Sequence, residues 1–262
     1  MVIDFHVHCF PDALAKRAVL ALSQCGCISA RLNGTVQDIV ESMRRAGVSR
    51  SVVLSIATKP SQTEKINDWS AAVQDDDIIA FGSIHPDYGN WKDELKRIKG
   101  LGLKGIKFHP DYQSFYVDEQ RMYPIYEMAF ELGLIIVFHA GVDVGLPAPY
   151  HCTPDRLLKL VRAFRGGRMV AAHMGGYSYW DEVEKYLSGE EIYIDTSYSL
   201  GWIDDIQAKR IIKQHGYKKV LFATDSPWTD QAEEIGKIKA LGLGKEVEDS
   251  ILGENAKMLL KA

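Results

Sequence analysis

Ile3-Asp4-Phe5-His6-Val7-His8 opens the chain with a strand-like alternation. Val2, Ile3, Phe5 and Val7 supply the β-branched and aromatic bulk that suits a strand. Alternate side chains of a strand share a face, so Asp4, His6 and His8 are expected on one face, about 6.5 to 7 Å apart. Pro11 and Asp12 stop the strand, which leaves the histidine pair at its C-terminal end. Two imidazoles at that spacing can converge on one metal ion. Two plain polar residues at a strand end are the other reading, and His-x-His alone does not choose between them.

Working outward, seven more short apolar segments follow, at 51–55, 78–84, 103–108, 134–139, 169–173, 192–196 and 220–224. Strands buried on both faces read as continuous apolar runs, and these mostly do. Helical periodicity separates them, over 13–24, 59–74, 91–99, 122–132, 154–164, 179–187 and 203–215. A further helix runs to Ala46, with Thr35 as its N-cap and Gly47 as its stop. Helices at 229–241 and 246–260 close the chain. Eight strand–helix units in one chain predict an α/β fold of the (β/α)8 TIM-barrel type. An open doubly wound sheet is the alternative, and no Gly-rich phosphate fingerprint follows any strand to support it. No linker or charge block divides the sequence, so residues 1–262 are read as one domain.

The chain has 262 residues, 46% hydrophobic and 25% charged, with net charge -4 and a pI near 6.1, which is ordinary for a soluble globular protein. No basic stripe supports nucleic-acid binding. No apolar run is long enough to span a bilayer, and the N-terminus has no export signal. Cys9, Cys25, Cys27 and Cys152 are too sparse for a disulfide framework and are read as reduced thiols of a cytoplasmic protein.

Barrel enzymes carry their chemistry at the C-terminal ends of the strands. His6 and His8 end the first strand, His85 the third, Lys107 and His109 the fourth, His139 the fifth, His173 the sixth and Asp225 the eighth. Only His151 and His215 lie elsewhere, and both are read as surface or loop residues. This concentration points to a metal site. His and Asp donors suit zinc first, with manganese or iron as alternatives. A bound metal would bring the pKa of its water towards neutrality.

Asp4-x-His6-x-His8, Gly105-Ile-Lys-Phe-His-Pro110, His139, His173-Met-Gly-Gly176, Thr224-Asp-Ser-Pro-Trp228 and Glu254-Asn-Ala-Lys-Met-Leu-Leu260 together resemble the amidohydrolase superfamily, and within it the amidohydrolase-2 group. The motifs span almost the whole chain. The resemblance implies one divalent metal held by His6, His8, His139 and Asp225. It also implies that Asp225 handles a proton of the bound water and that His173 polarises the substrate or acts as acid or base. A strand-four lysine is carboxylated in binuclear relatives. For Lys107 the favoured reading is an unmodified ammonium that binds a substrate carboxylate, with a second metal on a carboxylated Lys107 as the lesser alternative. His109 and Trp228 are candidate substrate contacts.

The group contains hydrolases, lactonases and non-oxidative decarboxylases. The first expectation is a metal-dependent hydrolase acting on an ester, lactone or amide of a small substrate, aromatic or carboxylated. The second is a decarboxylase of an aromatic or muconate-type acid. A non-catalytic metal-binding barrel is the third. The expected partner is a small molecule, and a homo-oligomer is compatible with the sequence.

Overall fold

The computed structural model describes residues 1–261. The elements follow in the order β1 (Ile3–Val7), α1 (Asp12–Gly26), α2 (Val36–Ala46), β2 (Arg50–Leu54), α3 (Thr63–Val73), β3 (Ile78–Phe81), α4 (Trp91–Gly100), β4 (Gly105–Phe108), α5 (Tyr123–Glu131), β5 (Ile135–Phe138), α6 (Pro154–Ala163), β6 (Met169–Ala171), α7 (Trp180–Tyr186), β7 (Tyr193–Asp195), α8 (Asp205–His215), β8 (Val220–Leu221), α9 (Gln231–Ala240), α10 (Lys245–Asp249) and α11 (Asn255–Lys261). All strand pairs are parallel, in the runs β1-β2-β3 and β4-β5-β6-β7-β8. Two bridges join the runs into a ring, Gly82 with Ile106 and Val7 with Ser226. Backbone bonds seal both seams, Lys107 N–H to Gly82 O at 2.9 Å and Phe5 N–H to Phe222 O at 2.9 Å. The result is the eight-stranded α/β barrel that the sequence predicts.

The core has two layers. Ile3, Phe5, Val52, Leu54, Phe81, Val137, Val170 and Leu221 fill the barrel interior, and Ala256 and Leu259 of α11 close its base. Their neighbours along the strands, such as Val53, Ile106, Phe138 and Ile194, pack outward against the helices. Gly105 is required where β4 meets its neighbours, because a Cβ there would lie 2.3 Å from Ile135 O and 2.4 Å from the Phe81 ring. Thr35 caps α2 by accepting from Asp38 N–H at 3.2 Å, and Gly47 ends it at φ +71°.

Three sequence expectations change in detail. The helix expected over 59–74 begins as a tight 3₁₀ turn, Pro60–Gln62, before α3. The helix expected over 246–260 is α10 and α11 joined by a π turn, Ser250–Glu254. That turn passes under the barrel so closely that a Cβ on Gly253 would sit 2.1 Å from Met1 O. Its Ile251 carbonyl accepts from Phe222 N–H at 2.9 Å. The third concerns β1. Its register shifts between Asp4 and Val7. Asp4 therefore turns towards Gln231 on α9, whereas His6 turns into the barrel. The two do not share a face, because the irregularity breaks the two-residue alternation.

Among the described residues no helix is long and apolar enough to cross a membrane. The four cysteines are free thiols, with Cys9 and Cys152 buried.

Candidate metal centre and substrate cavity

The strand ends converge on a cavity of about 510 Å³. His8, Lys107, His109, His139, His173, Asp225 and Trp228 all reach its wall. His6 lies directly behind them, fully buried.

His6, His8 and Asp225 form the tightest cluster. His6 Nε2 lies 3.2 Å from His8 Nε2, and Asp225 Oδ1 lies 3.3 Å from the first and 3.1 Å from the second. The outer nitrogens fix the tautomers. His6 Nδ1 donates to Asp195 Oδ2 at 3.0 Å. His8 Nδ1 donates to the Leu54 carbonyl at 2.8 Å, since a carbonyl only accepts. Both Nε2 lone pairs are thereby turned on each other and on a carboxylate. The Lys107 ammonium faces His6 Nε2 at 3.2 Å, and a proton or a metal cation is needed between His8 Nε2 and Asp225 Oδ1. Each ligand-type atom lies within 4.8 Å of the others. Two imidazole nitrogens and a carboxylate, each oriented by a partner behind it, suit a divalent first-row metal.

Electrostatics agree with that fit. Burial is the first cause that pushes His6 well below the usual imidazole range, with the Lys107 charge second, so its lone pair is free to ligate. Burial alone would raise the Asp225 carboxyl. The hydrogen bond from His8, with the neighbouring imidazoles behind it, outweighs it and holds Asp225 below its ordinary value.

His139 stands one ring away. Its Nδ1 lies 3.0 Å from His173 Nε2, and His173 Nδ1 lies 2.9 Å from the Ser197 carbonyl. The carbonyl fixes a proton on His173 Nδ1, so His173 Nε2 accepts from His139 Nδ1–H. That leaves His139 Nε2 as a bare acceptor, buried and without a hydrogen-bond partner among the described residues. His139 thus does not fall in the three-atom cluster with His6, His8 and Asp225. It offers an orphaned lone pair at the same cavity, as a fourth donor would.

A second grouping, His109, His139 and Asp143, also lies within 4.8 Å. Hydrogen bonds satisfy its His109 and Asp143 without a cation. Tyr112 N–H donates to His109 Nδ1 at 3.3 Å, which places the His109 proton on Nε2, 3.1 Å from Asp143 Oδ2. Asp143 Oδ1 accepts from Gly145 N–H at 2.8 Å.

Lys107 is 1% exposed. Its Nζ lies 3.2 Å from His6 Nε2, and among the described residues no carboxylate oxygen comes within 4.0 Å of it. Burial lowers its pKa to about 8, while Asp195 and Asp225 work in the opposite direction.

Backbone conformation concentrates here as well. His173 and Asp225 are held in the left-handed region, at φ 61° and 67°. Residues without glycine's freedom pay such strain where the surroundings fix it, commonly at functional sites. The fixing bonds are Asp225 N–H to His6 O at 2.8 Å and His173 N–H to Asp195 Oδ1 at 3.0 Å.

Other predicted residues sit apart. His85 accepts from Asp87 N–H at 3.1 Å in a loop outside the cavity. His151 is half-buried against Tyr116 and Pro110 O. His215, expected at the surface or in a loop, is buried at the end of α8. Its two nitrogens face the carbonyls of Leu187 and Ile192 at 3.2 and 2.8 Å. Of the loop aromatics, Tyr112, Tyr177, Tyr198 and Trp228 reach the cavity, whereas Phe115 packs on Phe108 in the core. Sequence reasoning missed Asp195 and Asp143. An acid at the C-terminal end of strand seven was the available signal for the first; Asp143, in a loop, gave none.

No curated protein sequence matches the chain significantly. Solved structures of the same shape include a 5-carboxyvanillate decarboxylase from Sphingomonas paucimobilis, with TM-score 0.74 and 16% identity over 99% of this chain and 98% of that one. A dihydroxybenzoic acid decarboxylase from Polaromonas sp. JS666, solved with manganese and 2-nitroresorcinol, has TM-score 0.74 and 17% identity over 99% and 96%. A probable 2-pyrone-4,6-dicarboxylic acid hydrolase from Acinetobacter baumannii has TM-score 0.67 and 16% identity over 100% and 99%. At these identities the likeness establishes the fold. The family model described as amidohydrolase matches residues 3–262, nearly the whole chain, and this protein belongs to that family of enzymes.

Proposed function

We propose that the chain is a metal-dependent, non-oxidative decarboxylase of a small hydroxylated aromatic acid. Hydrolysis, the first expectation from sequence, becomes the competing reaction. One observation carries the reading: a buried Lys107 ammonium with no carboxylate oxygen within 4.0 Å among the described residues, behind His6 at the inner end of a largely apolar cavity. A buried cation lacking an anion is costly. A substrate carboxylate supplies the missing charge and is placed next to the proton-handling group. The decarboxylases named above, on the same fold, support the choice.

His6, His8 and Asp225 would hold the metal, with His139 Nε2 as fourth donor; zinc, manganese and iron all suit these donors. When bound, it supplies positive charge that polarises a substrate oxygen and stabilises the electron density left on the ring.

The chain's own residues do the rest. Lys107 holds the carboxylate and so fixes the ring in the cavity. Asp225, kept ionised by its His8 and His6 neighbours, accepts the proton of a hydroxyl adjacent to the carboxylate. It returns that proton to the ring carbon that bears the carboxylate. The carbon–carbon bond then breaks, its electron pair restores the aromatic ring, and carbon dioxide leaves. The hydroxyarene carboxylate becomes carbon dioxide and a phenolate, which solvent protonates. His173 accepts from His139 Nδ1–H and keeps the His139 Nε2 lone pair turned outward. The apolar walls favour moving the charge from the compact carboxylate to the delocalised phenolate as carbon dioxide leaves.

The test is a product assay. The manganese- or zinc-loaded protein is incubated with dihydroxybenzoates and carboxyvanillate, and in parallel with aryl esters and lactones. Carbon dioxide release equal to substrate consumed supports the proposal. Ester or lactone cleavage without any carbon dioxide release from the acids overturns it.

A further inference from the structure

The helix α1 is out of proportion to what it packs against. It has 15 residues, yet Ala15 is its one fully buried side chain. Leu14 is 43% exposed, and together with Leu22 it faces the cavity rather than the barrel core. The opposite wall comes from Ile56 and Ile66, and the loop after β5 contributes Val144, 44% exposed. Beyond the histidines around Lys107, the lining of the cavity is of this apolar kind. The cavity of about 510 Å³ falls in the range that encloses drug-sized ligands, roughly 300–1,000 Å³. A single hydroxybenzoate held at Lys107 leaves the outer part, between α1 and α3, unfilled.

From this we infer that the substrate is an aromatic acid carrying an aliphatic arm of several carbons on the side of the ring opposite the carboxylate. The inference rests on the reading of Lys107 as the carboxylate anchor. Charge complementarity fixes one end of the ligand, because the ammonium is the buried cation of this cavity. The arm then points outward, along Leu14, Leu22 and Ile66. Filling that space removes apolar surface of both arm and wall from water, which gives a hydrophobic gain proportional to chain length. A polar arm finds few open partners there: Thr58, Gln62 and Lys65 lie at the rim, while Ser55 is bonded to Ser70 and Asp143 to Gly145 and His109.

The experiment uses unreactive probes. Benzoate and its 4-methyl, 4-propyl, 4-pentyl and 4-hexyl derivatives lack the adjacent hydroxyl and are titrated calorimetrically into the manganese-loaded protein. The dissociation constant is expected to fall about two- to fourfold per methylene until the rim is reached. In Leu14→Gln and Ile66→Gln the slope is expected to flatten; Leu14 is exposed enough for its variant to fold. Carbon dioxide release from 2,6-dihydroxybenzoate and its 4-pentyl homologue is measured alongside. A steep slope without carbon dioxide keeps the arm site and removes the decarboxylase reading. A dissociation constant that stays flat or rises with chain length, while the parent acid is decarboxylated, overturns the arm site and keeps the reaction.

Discussion

Asp195 at the end of β7 accepts from His6 Nδ1 at 3.0 Å and fixes which nitrogen of that imidazole faces the cavity. The same carboxylate accepts the backbone N–H of His173 and of Ser197, each at 3.0 Å. One buried acid therefore sets the tautomer of one candidate ligand and the backbone of the histidine behind another. Partners of this kind typically carry 10–100-fold in metal affinity. Asp195→Asn is expected to weaken metal binding by about that factor in chelator competition, with the fold retained by circular dichroism. Unchanged affinity would separate Asp195 from the metal centre.

Lys107→Met keeps the bulk of the side chain and removes its charge. If Lys107 anchors a carboxylate, kcat/KM for an aromatic acid should fall at least about 100-fold, of the order lost with a buried charged hydrogen bond. Metal content should stay at the wild-type value. Thermal stability should hold or rise, because a desolvated cation has been replaced by an apolar group. A variant that retains turnover but loses metal would show that Lys107 serves the metal rather than the substrate.

Asp4 accepts four donors: Thr224 N–H at 3.0 Å, Thr224 Oγ1 at 2.7 Å, Gln231 Nε2 at 2.8 Å and His6 N–H at 3.3 Å. These tie β1 to the segment after β8 and to α9. Asp4→Asn sets an NH2 group against those donors and should cost about 2–4 kcal/mol of unfolding free energy in a denaturant titration. Metal affinity of the folded protein should be kept. Preserved stability with lost metal would contradict this structural role.

His215 gives a pH dependence with a definite sign. Burial is the first cause that lowers its pKa to about 4, with Lys219 adding to it. The unfolded chain takes up a proton near pH 6.5, whereas the folded chain does not until about pH 4. Its contribution to stability is therefore complete above pH 6.5 and is lost as pH falls from 6.5 to 4. The loss amounts to about 3 kcal/mol. His215→Gln should lose correspondingly less than the wild type between pH 7 and pH 4 in denaturant midpoints. Parallel curves for the two proteins would count against it.

The barrel was legible because its strands, buried on both faces, spell themselves as short apolar runs with polar residues at one end. The two-residue alternation was less reliable. It put Asp4 beside His6, and the register shift in β1 separates them. The gathering of His6, His8, Lys107, His139, His173 and Asp225 at one cavity follows from strand-end position alone. The tautomers do not, since they are set by Leu54 O, Asp195 and Ser197, groups remote in sequence. Asp143 reaches His109 from a loop whose path no periodicity encodes. The left-handed backbone at His173 and Asp225 is imposed by tertiary hydrogen bonds, so no local residue preference announces it. His215 looked peripheral because it ends a helix, yet the packing of α8 against the barrel buries it.

In the proposed reaction Asp225 delivers a proton to the ring carbon that loses its carboxylate. Turnover of 2,6-dihydroxybenzoate labelled with 13C in the carboxylate, by the metal-loaded protein in D2O, tests it directly by NMR. Labelled carbon dioxide and resorcinol carrying one deuterium at the vacated position are expected, with both signals lost in Asp225→Asn. Undiminished turnover in Asp225→Asn, or no labelled carbon dioxide from hydroxyarene acids beside ready hydrolysis of an ester or lactone, would contradict it.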